Sequence, residues 1–179
     1  MTNWYSDHYG TDGDNDTSLP VTIKVVSAGI SHGRVRYKRA TITGLPLLTT
    51  PDVLRFYTMK SSDRIINQWI SSNGGSDAGA IDIGVYTHNN THTGAVIDAD
   101  LFSSAQAIST AIHKTAALVE SAVIQHEDAG QPLWFMLSRG DGTDTSDPGV
   151  LYDICGTVTT AFTTTDSVLT LECIYTSGD

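Results

Sequence analysis

The sequence predicts an all-β fold, an antiparallel β-sandwich in a single domain, and three observations point to it. Thr and Ser contribute 24 and 17 of the 179 residues, whereas Glu occurs three times and Lys four times. Helix formers are therefore scarce and strand formers abundant. Alternating runs such as AIDIGV at 80–85 place apolar residues on one face of an extended segment and polar ones on the other. Clusters of Gly, Asn, Asp and Pro break these runs at short intervals, as sandwich strands require. A chain of this length buries roughly two-thirds of its unfolded surface without metals or disulfides, so one core suffices.

Residues 1–18 are polar, with Trp4, Tyr5 and Tyr9 as the bulky groups. They read as a flexible N-terminal arm, and three aromatics so close together suit an arm that orders against a neighbouring subunit. The domain proper is 19–179. Its first strand is VTIKVVS at 21–27, followed by turns at Ala28-Gly29 and His32-Gly33. In RVRYKRATITG, Arg34, Arg36 and Lys38 share one face and Val35, Tyr37 and Arg39 the other. After Pro46 and Pro51, DVLRFYTM reads as a strand, 60–63 as a turn and RIINQWISS as the strand pairing with it. Asn73-Gly74-Gly75 opens a loop. Residues 80–102 form a half-buried hairpin around the polar cluster HNNTHT.

Between 101 and 128 the Ala-rich pieces keep no steady helical spacing, so an irregular segment with one short helix is expected. PLWFMLS reads as an apolar strand, and RGDGTDTSDPG, Arg139-Gly140-Asp141 included, as a loop. Strands over 150–162 and 167–176 close the chain as a hairpin. In the first, Val150, Tyr152, Ile154, Val158 and Phe162 share the apolar face and Cys155 does not; in the second, Cys173 lies with Leu169, Leu171 and Tyr175. A register burying both apolar faces separates the sulfurs, so no bridge is expected.

Catalytic signatures are missing: there is no G-x-S-x-G, G-x-x-x-x-G-K or G-x-G-x-x-G. Asp12, Asp14 and Asp16 open like a calcium loop, but Thr17 stands where glycine is needed and Ile23 where the bidentate Glu belongs. Asp141, Asp144 and Asp147 pose the same question in a loop. His88 and His92 bracket a tight turn, yet two imidazoles make too small a ligand set, and neither Asp82 nor Asp98 is an evident third; they read as a solvent-exposed hairpin tip. Asp82, Asp98 and Asp100 lack the aromatic platform of a glycosidase pair. Trp69, Trp134, Phe56, Tyr57 and Phe135 read as core. No catalytic residue, cofactor or metal is expected.

The net charge of −10 argues against a nucleic-acid partner, and no apolar run spans a bilayer. Without a cationic, apolar leader the chain is expected to be made in the cytoplasm. Residues 24–64 hold eight cations and two anions (+6), leaving −16 for the rest. That basic segment either docks on an acidic surface or neutralises the protein's own acidic loops.

Several short stretches carry a resemblance: DIGVY at 82–86, GAVIDADLF at 94–102, PLW at 132–134, SDPG at 146–149 and YDI at 152–154. Over roughly the C-terminal 100 residues the chain resembles small virion structural proteins of tailed bacteriophages, among them capsid decoration (cement) proteins. The resemblance implies a jelly-roll sandwich and a non-enzymatic protein on the virion's capsid surface, bound to the major capsid protein and trimeric. Trp4, Tyr5 and Tyr9 would then face a neighbour, with Arg34, Arg36 and Lys38 toward the shell. A tail or host-surface module that binds carbohydrate is the alternative on the same fold.

Overall fold

The structure, a computed structural model, describes residues 3–5, 35–74, 79–108, 111–118, 130–141, 146–165 and 167–177. Among these residues nine strands and one helix follow in chain order: β1 Asn3–Tyr5, β2 Val35–Leu45, β3 Val53–Lys60, β4 Arg64–Asn73, β5 Ala80–Thr87, β6 Val96–Ala107, β7 Ala111–Ala116, α1 Leu133–Asp141, β8 Leu151–Thr160 and β9 Ser167–Thr176. Two sheets pack face to face, ordered β1-β3-β8-β5-β6 and β2-β9-β4-β7. Apart from β1, which runs parallel to β3, every pairing is antiparallel. Setting β1 aside, the orders 3-8-5-6 and 2-9-4-7 are those of a jelly roll, in which the chain crosses repeatedly between the sheets.

The interior is the common inner face of the sheets. Ile42, Leu54, Phe56, Ile70, Ile81, Ile83, Phe102, Ile154, Leu169 and Leu171 are fully buried there, each supplied by a strand at alternating positions. Such side chains contribute about 1.5–3 kcal/mol apiece on burial, so the hydrophobic alternation noted in the sequence is the main source of stability. Among the described residues no helix is long and apolar enough to cross a membrane.

Several sequence expectations change. Residues 64–72 do not pair with 53–59, because β3 and β4 lie in opposite sheets and the turn between them crosses the sandwich. For the same reason β8 and β9 are not a hairpin. Cys155 packs with Val53 and Tyr86 on the outer side of the five-stranded sheet, Cys173 lies in the interior, and both thiols are free. Burial pushes the Cys173 thiol up to about 12 and that of Cys155 higher still. The separation of the sulfurs thus comes from different sheets and not from hairpin register.

PLWFMLS is not a strand but the start of α1. Pro132 stands just before it, where a missing N–H is harmless, and its carbonyl accepts from Phe135 and Met136. Leu133 and Met136 reach the core while Phe135 is exposed, a three-residue spacing that a strand does not produce. Trp134 is only half-buried, so neither it nor Phe135 is a core residue. Arg139-Gly140-Asp141 ends this helix and is not a free turn. The helix start sits on the β3–β4 turn, with Leu133 N donating to Asp63 O and Trp134 N to Ser61 O. In the stretch expected to be irregular or helical, 101–107 continues β6 and 111–116 is β7; 119–129 lies outside the described residues, as do 6–34 with the expected strand at 21–27. Of the arm, Asn3–Tyr5 adds to the edge of the chain's own sheet, with Trp4 opposite Leu54.

Candidate functional site

Two apolar strands each carry one buried charged residue on the outer side of the five-stranded sheet: Arg55 in β3 and Asp153 in β8. Both side chains are essentially fully buried, at 1% and 0% exposure. A buried charge is tolerable only when paired, and Arg55 Nη1 donates to Asp153 Oδ2 at 3.0 Å. Arg55 Nη2 donates to the carbonyl of Gly94 at 2.9 Å, and the guanidinium lies 5.3 Å from the centre of the Tyr86 ring.

The cover over this pair is the connection between β5 and β6. Thr87 N donates to Ala95 O, and Asn89 Oδ1 accepts from Thr93 N and Thr91 Oγ1, closing a compact turn. Gly94 permits the close return, since a Cβ there would lie 1.6 Å from the carbonyl oxygen of Thr87. His92 takes a left-handed conformation, φ 51°, and its side chain is buried. The two imidazoles are therefore not a solvent-exposed hairpin tip. His88 Nδ1 lies 2.8 Å from Asp153 Oδ1, His92 Nδ1 lies 3.9 Å from Asp153 Oδ2, and the ring centres are 5.5 Å apart, edge to face.

Asp153 is the hub. Burial alone would raise its carboxyl pKa, but the adjoining imidazoles of His92 and His88 and the Thr58 hydroxyl at 2.9 Å outweigh it, holding the group below the usual carboxylate range. The arrangement is a fixed carboxylate with two nearby imidazoles, able to bind a cation or lock the loop. One ligand atom each from His88, His92 and Asp153 falls within 4.8 Å of the others. The third member lies 65 residues from His88. Its sequence signal was an Asp sharing the phase of Cys155 inside an otherwise apolar strand, matched by Arg55 inside VLRFYTM.

The residues expected at interfaces are scattered. Tyr9 and Arg34 lie outside the described residues, and Trp4 and Tyr5 belong to β1. Lys38 does not face outward: its ammonium donates to the Thr58 carbonyl and lies over the rings of Tyr57 and Tyr175. Burial lowers its pKa. Arg36 stands opposite Tyr175 in the β2–β9 pair. Arg39 lies 3.7 Å from Glu172, a carboxylate that also accepts from Tyr37 and pairs with Lys114 at 3.0 Å. Part of the basic segment is thus neutralised within the fold.

Of the carboxylates considered for calcium, Asp147 accepts from Ser61 Oγ and Gly149 N, a turn-capping role. Asp82 accepts from Ala105 N at 2.7 Å, and its pKa is raised by burial and, to a lesser extent, by Asp100.

No family model and no curated protein matches this chain. Among solved structures, a chain of the cyanophage Pam1 capsid asymmetric unit has a similar fold, with a TM-score of 0.50 and 14% identity over 89% of this chain and 97% of that one.

Proposed function

We propose that this chain is a non-enzymatic structural protein of a tailed-phage virion, a decoration or cement protein that binds the outside of the major capsid lattice as a homotrimer. The observation that carries the reading is the shared fold with a chain of a cyanophage capsid asymmetric unit over nearly the whole of both chains. The sequence resemblance over the C-terminal 100 residues points the same way independently. A trimer suits threefold or quasi-threefold positions, where one patch meets several shell subunits by symmetry. Arg34, Arg36 and the aromatics Trp4, Tyr5 and Tyr9 are the contacts proposed. Lys38 is left out, because its charge is used inside the fold.

Purified virions test the assignment by copy number and labelled antibody. Dozens to hundreds of copies over the shell are expected; a few copies at one vertex or on the tail would replace it with the host-binding alternative. Charge reversal, Arg34→Glu with Arg36→Glu, should weaken capture by shells and its salt dependence.

A further inference from the structure

We propose that His88, His92 and Asp153 form a binding site for one divalent transition-metal ion of the zinc class, which clasps residues 88–95 onto the outer side of the five-stranded sheet. The distances come first. Tetrahedral zinc with bonds of ~2.0–2.1 Å sets neighbouring ligand atoms ~3.3 Å apart. The observed separations to the two Asp153 oxygens, 2.8 Å from His88 Nδ1 and 3.9 Å from His92 Nδ1, lie on either side of that spacing. One ligand atom from each residue lies within 4.8 Å of the others, so the side chains need only close on one another to share a common centre.

The supporting shell is already built. Thr58 and Arg55 orient the Asp153 carboxylate, and Arg55 is itself anchored to the Gly94 carbonyl within the same loop. Fixing a ligand by its outer partners is how protein metal sites gain affinity. The left-handed backbone at His92 is a further sign of a held geometry, since a non-glycine residue adopts it at a cost of order 1 kcal/mol and the surrounding turn must hold it there. His88, whose side chain is 15% exposed, lies on the solvent side, where an ion and a completing water ligand can enter.

The donor chemistry selects the metal. Two imidazole nitrogens and one carboxylate suit zinc, nickel or cobalt. Calcium and magnesium need several oxygens, and the single carboxylate here already shares its charge with Arg55. Metal binding replaces the His88–Asp153 hydrogen bond: the ion takes the place of the Nδ1 proton, and the imidazole lone pair turns to the metal.

The full chain, stripped with a chelator and then dialysed against zinc chloride, should retain one zinc per chain and melt at a higher temperature than the stripped protein. His88→Gln and His92→Asn each should lose retained zinc at least tenfold in affinity. Asn tolerates the left-handed backbone, so His92→Asn keeps the turn, and circular dichroism of the stripped proteins checks the fold. Cobalt in place of zinc should give visible d–d absorption in the wild type and none in the double variant. If the wild type retains no zinc, or if His88→Gln and the double variant retain as much as the wild type, the residues form only a hydrogen-bonded clasp and the proposal is wrong.

Discussion

Removing Arg55 should be among the most damaging single changes to this fold. In Arg55→Met the buried Asp153 carboxylate loses its 3.0 Å partner, and the Gly94 carbonyl loses its donor in the same step. Breaking a buried ion pair from one side costs about 3–5 kcal/mol. His88 and the Thr58 hydroxyl still reach the carboxylate, which sets the expectation near the lower end, ~3–4 kcal/mol. A domain of this size shifts by ~2–4 °C per kcal/mol, so the melting temperature should fall by ~6–16 °C. Asp153→Leu should cost a similar amount by stranding the guanidinium. The double variant Arg55→Met with Asp153→Leu removes both charges and should be less destabilised than either single one, because neither is then buried alone. Urea unfolding in chelator, followed by tryptophan fluorescence and circular dichroism, measures the cycle. Single losses under ~1 kcal/mol, or a double loss equal to the sum of the singles, would refute the claim that the pair is coupled and desolvated.

Three further outcomes follow from the same geometry. Gly84→Ala places a Cβ 2.1 Å from the carbonyl oxygen of Asp98, a backbone atom of β6; it should cost about 3 kcal/mol or more, whereas Gly44→Ala, at φ +62° with open space around it, should cost about 1 kcal/mol in thermal melts. Tyr37, Lys114 and Arg39 hold the Glu172 carboxyl below its ordinary value against the opposing effect of burial, so its stabilisation is complete above pH ~4.3 and is lost as pH falls through the lowered folded value; Glu172→Gln should flatten that acid limb in melts taken across pH 2–6. Neither Cys155 nor Cys173 should react with a thiol reagent at neutral pH until the chain is unfolded, since burial disfavours both thiolates; mass spectrometry of native and denatured samples reads this directly.

The strands were legible where side chains alternate. The alternation in 80–102 predicts a hairpin, and β5 and β6 are consecutive strands that pair within one sheet. What alternation does not encode is the sheet a strand joins, so 53–59 with 64–72, and 150–162 with 167–176, look like hairpins in sequence although their short connections cross the sandwich. PLWFMLS misled because an unbroken apolar run has no period to read, and only Phe135 pointing outward between Leu133 and Met136 reveals a helix. Of the site, the sequence shows the pairing of His88 and His92 about one turn, though not their burial. It does not show Asp153, since its closeness arises from the β5–β8 register, with Tyr86 opposite Asp153, a long-range pairing that no local spacing carries.

The positions of β8 and β9 bear on how the protein is made. Each is an internal strand of its sheet, β8 between β3 and β5, and β9 between β2 and β4. While residues 151–176 are still inside a ribosome, β2, β3, β4 and β5 have emerged with those edges unmatched, and among the described strands only the β1–β3, β5–β6 and β4–β7 pairings can form. Until β8 and β9 emerge, the nascent chain therefore displays bare strand edges of the kind that associate with other chains. It gains both sheets almost at once when the final strands arrive, so ending translation before residue 151 would leave not a smaller sandwich but none.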